Sequence, residues 1–178
     1  GYLEALTIQS DICPPTWQPA LKQMTEHSVE MNSLVDTLLN LSHLEESQIP
    51  ADSEPIDIKL LLEEVVKATS QIYKEKNHAL TIHIDSQKKL TGSRVELYSA
   101  VSNLTFNAAH YTPKDGAISI RWYQQDAYLV LEVKDNGIGI AEEHLSRITE
   151  RFYRVDNSRT RTEQGSKNGL GLAIVKHV

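Results

Sequence analysis

Tyr128–Glu143 reads YLVLEVKDNGIGIAEE, and the point where this stretch passes from alternation to glycine decides the kind of fold. Tyr128 to Val133 alternate as a half-buried strand does, with every second side chain apolar. Asp135-Asn136-Gly137 follows and admits two readings. Asn-Gly behind an alternating strand is the strongest short-range hairpin signal. The other reading is a carboxylate at a strand end, able to accept a hydrogen bond from an exocyclic amine, with glycines that let backbone approach a flat ring. Gly139 comes at once and no alternating strand follows it. Ala141-Glu142-Glu143 instead opens a helix, which counts against the hairpin.

Working outward, Ile118-Ser119-Ile120-Arg121-Trp122 is a second alternating strand, and Leu80, Ile82 and Ile84 mark a third. Ile56-Asp57-Ile58 reads as a short strand, followed by a helix to about Lys76 with Leu60, Leu61, Val65, Val66 and Ile72 inward. A helix from about Ser93 to His110 carries Leu97, Val101, Leu104 and Ala108 along one face. Asn103, Asn107 and Tyr111 form another stripe at four-residue steps. Amides are poor helix formers, so two on one face need a reason. They are either solvated or neutral oxygen ligands of the kind that helps hold Mg²⁺ beside nucleotide phosphates.

Beyond Glu143 the pattern predicts a short helix from Glu142 to about Ile148, an arginine-containing polar loop, and a final helix from about Gly171. Gly169-Leu170-Gly171-Leu172 enters that helix. Glycines at a helix start leave backbone N–H groups free for a phosphate, or simply make a turn. The loop lacks the spacing of a P-loop, and no strand closely precedes it as in a dinucleotide site. Strands interleaved with helices, some joined by tight turns, predict an α+β fold: a two-layer α/β sandwich with a mixed sheet covered on one face.

The first 55 residues differ in character. Residues 1–12 read as a helix end stopped by Pro14-Pro15. Thr16 is the expected cap of a helix to about Ser47, on which Met24, Met31, Leu34, Val35, Leu38, Leu41 and Leu44 form a seam for another helix. Packing of that seam on the following domain is the other reading. Residues 48–55, polar with two prolines, are a linker. Of 178 residues 40% are apolar and 24% charged, as in a soluble globular protein. The net charge of -6 disfavours nucleic acid as partner, although five of the seven arginines lie between Arg147 and Arg161. One cysteine, Cys13, permits no internal disulfide. No run of about 18 apolar residues marks a membrane span.

Taken together, Asn103–Pro113 (NLTFNAAHYTP), Asp135–Ile140 (DNGIGI), Glu150–Asp156 (ERFYRVD) and Gly169–Ile174 (GLGLAI) resemble the four nucleotide-binding boxes of sensor histidine kinases. These kinases share an ATP-binding (Bergerat-type) fold with the gyrase, Hsp90 and MutL ATPases. Glu30–Glu46 (EMNSLVDTLLNLSHLEE) resembles the second helix of their dimerisation domain, and ERFYRVD with GLGLAIVKH is most similar to the phosphate-regulon sensor kinases.

The resemblance implies a partial helical-hairpin dimerisation domain over 1–47, a linker over 48–55 and a catalytic ATP-binding domain over 56–178, incomplete at its C-terminus. It implies ATP and Mg²⁺ as cofactors. Asn107 would be the main Mg²⁺ ligand and Asn103 a phosphate or metal neighbour, with Asp135 binding the adenine amine. Gly137, Gly139, Gly169, Leu170 and Gly171 would shape the pocket and lid, with Tyr111 near the nucleotide and Arg154 near its phosphates. His110 stands where many members carry a lysine or arginine that reaches a phosphate. Lys167-Asn168 is an insertion relative to the family's lid pattern.

Two consequences concern the reaction. Related hydrolysing ATPases carry a glutamate where this chain has Asn103, and an amide cannot act as a general base at neutral pH. Phosphoryl transfer to a protein nucleophile is therefore favoured over hydrolysis. The family's acceptor histidine lies in a segment like H-E-[LF]-[RK]-T-P, and none of the seven histidines here has that context. No catalytic acceptor is expected within the chain, and alone it is expected not to autophosphorylate. Gly1 is not an initiator, so a longer parent is expected, the cytoplasmic part of a bacterial inner-membrane protein. Its expected partners are a second copy through the N-terminal helices and a response-regulator receiver domain. A hydrolysing ATPase of the same superfamily and a non-enzymatic dimerisation or scaffold module are the alternatives.

Overall fold

The computed structural model describes residues 17–25, 27, 28, 31, 35, 53–155 and 169–178. The chain divides into two units, Gly1–Glu46 and Ser47–Val178. In the first, residues 18–25 are helical, and Thr25 Oγ1 donates to Leu21 O at 2.9 Å along the helix's own repeat. Met24, Met31 and Val35 of the predicted seam are exposed in this chain. Thr16, Leu34, Leu38, Leu41 and Leu44 lie outside the described residues.

The second unit opens with β1 (Glu54–Ile56), which ends where Asp57 begins a helix. The Asp57 carboxylate accepts from Leu60 N at 3.0 Å, capping α1 (Ile58–Ile72). The predicted strand Ile56-Asp57-Ile58 is thus a strand end, a cap and a helix start. α1 buries Leu61, Leu62, Val65 and Thr69. Leu61 and Val65 are inward as expected, whereas Leu60 and Ile72, also expected inward, are exposed, because the buried stripe runs through Ile58, Leu61, Leu62, Val65 and Thr69. The helix also stops short of Lys76: a 3-10 turn at Lys74–Lys76 follows, closed by Asn77 at φ 50°.

β2 (Ala79–Ile84), β4 (Ala117–Gln125) and β5 (Tyr128–Asp135) form one sheet in the order β2-β4-β5. β2 runs parallel to β4, with Ile82 opposite Ile120 and Ile84 opposite Trp122. β5 returns antiparallel, from Tyr128 opposite Gln125 to Asp135 opposite Ile118. β3 (Leu90–Gly92) pairs antiparallel with β1 in a separate two-stranded ribbon. At three residues it has no period to read in the sequence.

α2 (Arg94–Tyr111) makes the parallel crossover, capped by Ser93, whose hydroxyl accepts from Glu96 N. It packs on α1, β4, β5 and the last helix, α4 (Gly171–His177). Being approached from several sides, α2 buries small residues around much of its girth: Ala100, Val101, Ser102, Thr105, Ala108 and Ala109. The helix predicted to reach Ile148 is one turn, α3 (Glu142–Leu145). The main core joins Leu61, Leu62 and Val65 of α1, Val101 of α2, and Ile120 and Trp122 of β4. Each fully buried aliphatic side chain contributes about 1.5–3 kcal/mol. Helices on one face of a mixed sheet make the two-layer sandwich that the sequence predicts.

Candidate functional site

The site lies where the C-terminal half of α2, the end of β5 and the start of α4 converge. α2 presents Asn103, Asn107 and Tyr111 one above the other, since residues four apart share a helix face. Asn103 Nδ2 donates to Ser99 O at 2.9 Å, one turn back, which turns its Oδ1 away from its own helix. That oxygen faces α4: a Cβ on Gly171 would stand 2.6 Å from it. Two segments 68 residues apart in sequence therefore meet through an amide and the lack of a side chain. Asn107 is half-buried, and among the described residues no side-chain hydrogen bond engages its carboxamide.

β5 ends at Asp135, whose Oδ1 accepts from Gly137 N at 2.8 Å in a turn closed by the carboxylate itself. Among the described residues its second oxygen has no partner. Gly137 lies against the end of α2, where an added Cβ would fall 2.6 Å from Tyr111 O. Ile138 N donates to that same carbonyl at 3.3 Å. Asn136 Oδ1 accepts from Ala117 N at 2.9 Å, tying the turn to β4. Gly139 is exposed, at φ +70° with open space around its Cα. The chain then enters α3, so the hairpin reading of Asn136-Gly137 is excluded.

Gly169 sits at φ +63°, and a Cβ there would lie 2.8 Å from the carbonyl carbon of Phe152. Its oxygen accepts from Phe152 N at 3.0 Å. Phe152 itself has φ 63° and an exposed ring. Leu170 is only 1% exposed, so its side chain packs in the interior beside Ala173 and Ile174. His110, half-buried, stands edge-on to the Tyr111 ring with centroids 4.8 Å apart. Arg154 is exposed two residues after Phe152. Arg159, Arg161, Gly165, Ser166, Lys167 and Asn168 lie outside the described residues.

Two sets of contacts went unread in the sequence. Lys76 Nζ donates to the carbonyls of Ala109, His110 and Thr112 at the end of α2. A lysine in a run reading Lys-Glu-Lys-Asn carries no signal of such a contact. The second is a cluster that joins α3 to the segment after it. His144 Nδ1 lies 2.7 Å from Tyr153 Oη, and the Arg147 guanidinium stacks 4.3 Å from the Tyr153 ring. Glu150, hydrogen-bonded to Arg147, raises the arginine's pKa above its ordinary value, so this charge is permanent. Among the described residues no three His, Cys, Asp or Glu side chains gather as a metal site, and no helix is long and apolar enough to cross a membrane.

Residues 92–178 match the family of histidine kinase-, DNA gyrase B- and HSP90-like ATPases. Those residues are a domain of that ATPase family, and the chain is a homologue of the sensor histidine kinases. Over 178 residues it is 43% identical to the phosphate regulon sensor protein PhoR of Pseudomonas aeruginosa, covering 100% of this chain and 40% of that protein. The PhoR of Haemophilus influenzae is 37% identical over 177 residues, covering 99% of this chain and again 40% of the relative. The chain thus spans about 40% of the length of the curated relatives it matches. Among solved structures, full-length ShkA in complex with AMPPNP superposes with a TM-score of 0.73 at 26% identity, over 91% of this chain and 32% of that one.

Proposed function

We propose that this chain is the ATP-binding catalytic part of a phosphate-responsive sensor histidine kinase, whose parent passes the γ-phosphoryl group to a histidine and then to a response-regulator aspartate. The observation that carries the proposal is the Asn103–Gly171 contact at the meeting of α2 and α4. It sets an amide, not a carboxylate, where a hydrolysing relative would hold its base. Asn103 cannot take a proton from water at neutral pH, which leaves transfer to a protein nucleophile as the favoured chemistry.

In this reading the free oxygen of Asp135 accepts the adenine amine, and the backbone of Gly137 and Gly139 lies against the ring. Asn107 offers an uncommitted, half-buried neutral oxygen, a donor type that suits Mg²⁺ shared with phosphates. Mg²⁺, when bound, supplies neutralisation of phosphate charge. Asn103, His110, Tyr111 and Arg154 line the phosphate side, while Gly169, Leu170 and Gly171 shape the base of the lid. Catalysis is then chiefly positioning and charge stabilisation. The acceptor histidine belongs to a segment outside this chain, and the N-terminal helices pair with a second copy.

Calorimetric titration with ADP and an unhydrolysable ATP analogue, with and without Mg²⁺, tests the reading. The expected result is micromolar binding that strengthens with Mg²⁺ and is lost in Asp135→Ala. A folded protein that binds neither nucleotide would refute it and favour a scaffold module.

A further inference from the structure

A helix ends with four carbonyls that its own ladder leaves without partners. At the end of α2 these are the carbonyls of Ala109, His110, Tyr111 and Thr112, and all four are accounted for by other parts of the fold. The ladder itself ends at Ala108 O, which accepts from Thr112 N at 2.9 Å. Ala109 O and His110 O accept from Lys76 Nζ at 3.2 and 2.5 Å. Tyr111 O accepts from Ile138 N at 3.3 Å. The lysine also reaches Thr112 O at 3.3 Å, beside His78 Nε2 at 3.2 Å from the same oxygen. Its ammonium lies 5.7 Å from the centre of the Tyr73 ring, a further hold on a cation.

The arrangement divides labour along one turn of helix. Lys76 grips the two carbonyls just before Tyr111 and the one just after it. The carbonyl between them, that of Tyr111, is the one on which the glycine turn rests. The turn lies close against that carbonyl, since a Cβ added at Gly137 would stand 2.6 Å from it. The position of the turn, and of Asp135 hydrogen-bonded to it, is therefore set by the end of α2. A cation at a helix C-terminus is also favoured by the helix dipole.

We infer that Lys76 is a positioning residue for the nucleotide site: by holding the C-terminus of α2 it fixes Tyr111 O, and through it the Gly137-Ile138 turn that presents Asp135. It touches no nucleotide in this account. The inference rests on the nucleotide reading above for its functional consequence, but not for its structural one. The bonds to Ala109 O and His110 O are charge-assisted, and loss of one such bond is worth about tenfold in an equilibrium.

Amide hydrogen exchange by NMR on the 178-residue chain separates the two. In Lys76→Met, which keeps the aliphatic stem, Ile138 N–H is expected to exchange about tenfold faster while amides in the middle of α1 keep their rates. ADP affinity should weaken with it, and Lys76→Arg, which still donates to carbonyls, should restore both. Should Lys76→Met fold poorly, Lys76→Gln, with two neutral donors, gives an intermediate effect on Ile138. Unchanged Ile138 exchange in Lys76→Met overturns the inference. So does a uniform acceleration across α1 and the sheet that Lys76→Arg does not reverse, since that marks a merely structural residue. If the unsubstituted chain binds no ADP, the nucleotide reading fails, while Ile138 exchange still decides the role of Lys76.

Discussion

Replacing Gly171 by alanine tests the contact on which the site is built. The new methyl would stand 2.6 Å from Asn103 Oδ1 and 3.2 Å from its Cγ. A carbon and an oxygen need roughly 3.3 Å or more, so one partner must yield by about 0.7 Å. The backbone of α4 is held by buried Leu170, Ala173 and Ile174, whereas the amide is the end of a side chain. Asn103 is therefore the part that turns, and in turning it gives up its bond to Ser99 O. That loss costs about 0.5–1.5 kcal/mol. Alanine offsets it, since glycine in a helix is about 0.5–1 kcal/mol worse. Net stability should change by less than about 1 kcal/mol in either direction, so a single variant would mislead. The coupling is the informative quantity. In an Asn103→Ala background the two close contacts are gone and the methyl meets the remaining Cβ of residue 103 at 3.5 Å, an ordinary van der Waals contact, so Gly171→Ala should become stabilising. Urea denaturation of the four proteins is expected to give a coupling energy of about 0.5–1.5 kcal/mol. Additive effects, within about 0.3 kcal/mol, would mean that Asn103 and Gly171 are not in contact and would remove the argument for convergence of α2 on α4.

Two further outcomes follow from the same packing. Gly169→Ala should destabilise by about 2–4 kcal/mol, because it combines φ +63° with a methyl 2.8 Å from immobile Phe152 backbone, whereas Gly139→Ala, at φ +70° in open space, should cost only the local strain of about 1–2 kcal/mol; denaturation midpoints compare the two. On α1, Leu61→Ala should cost about 2–5 kcal/mol and its exposed neighbour Leu60→Ala less than about 0.5 kcal/mol, so equal losses would show that the helix face is misassigned.

The division between what was legible and what was not follows the range of the interactions. Alternation at Leu80, Ile82 and Ile84 put β2 in place, because a two-residue period is written in the strand itself. α2 could be placed from about Ser93 because Leu97, Val101, Leu104 and Ala108 recur at three- and four-residue steps. Asp135, Asn103 and Gly171 could be singled out from residue type and order, though their separation in sequence left their meeting open. The inward face of α1 is legible at Leu61 and Val65 and reads too widely at Leu60 and Ile72, since Leu60 and Leu61 are equally apolar and only the sheet beneath chooses between them.

What the sequence by itself determined is therefore local: the strands with a clear period, the turn at Asp135 and the asparagine stripe on α2. Tertiary structure alone decided the contacts that bring these residues together. Lys76 on the end of α2, Gly137 against Tyr111 O and Asn103 against Gly171 each join residues more than 25 positions apart. Such contacts depend on how two elements approach in space, and no periodicity along the chain records that distance.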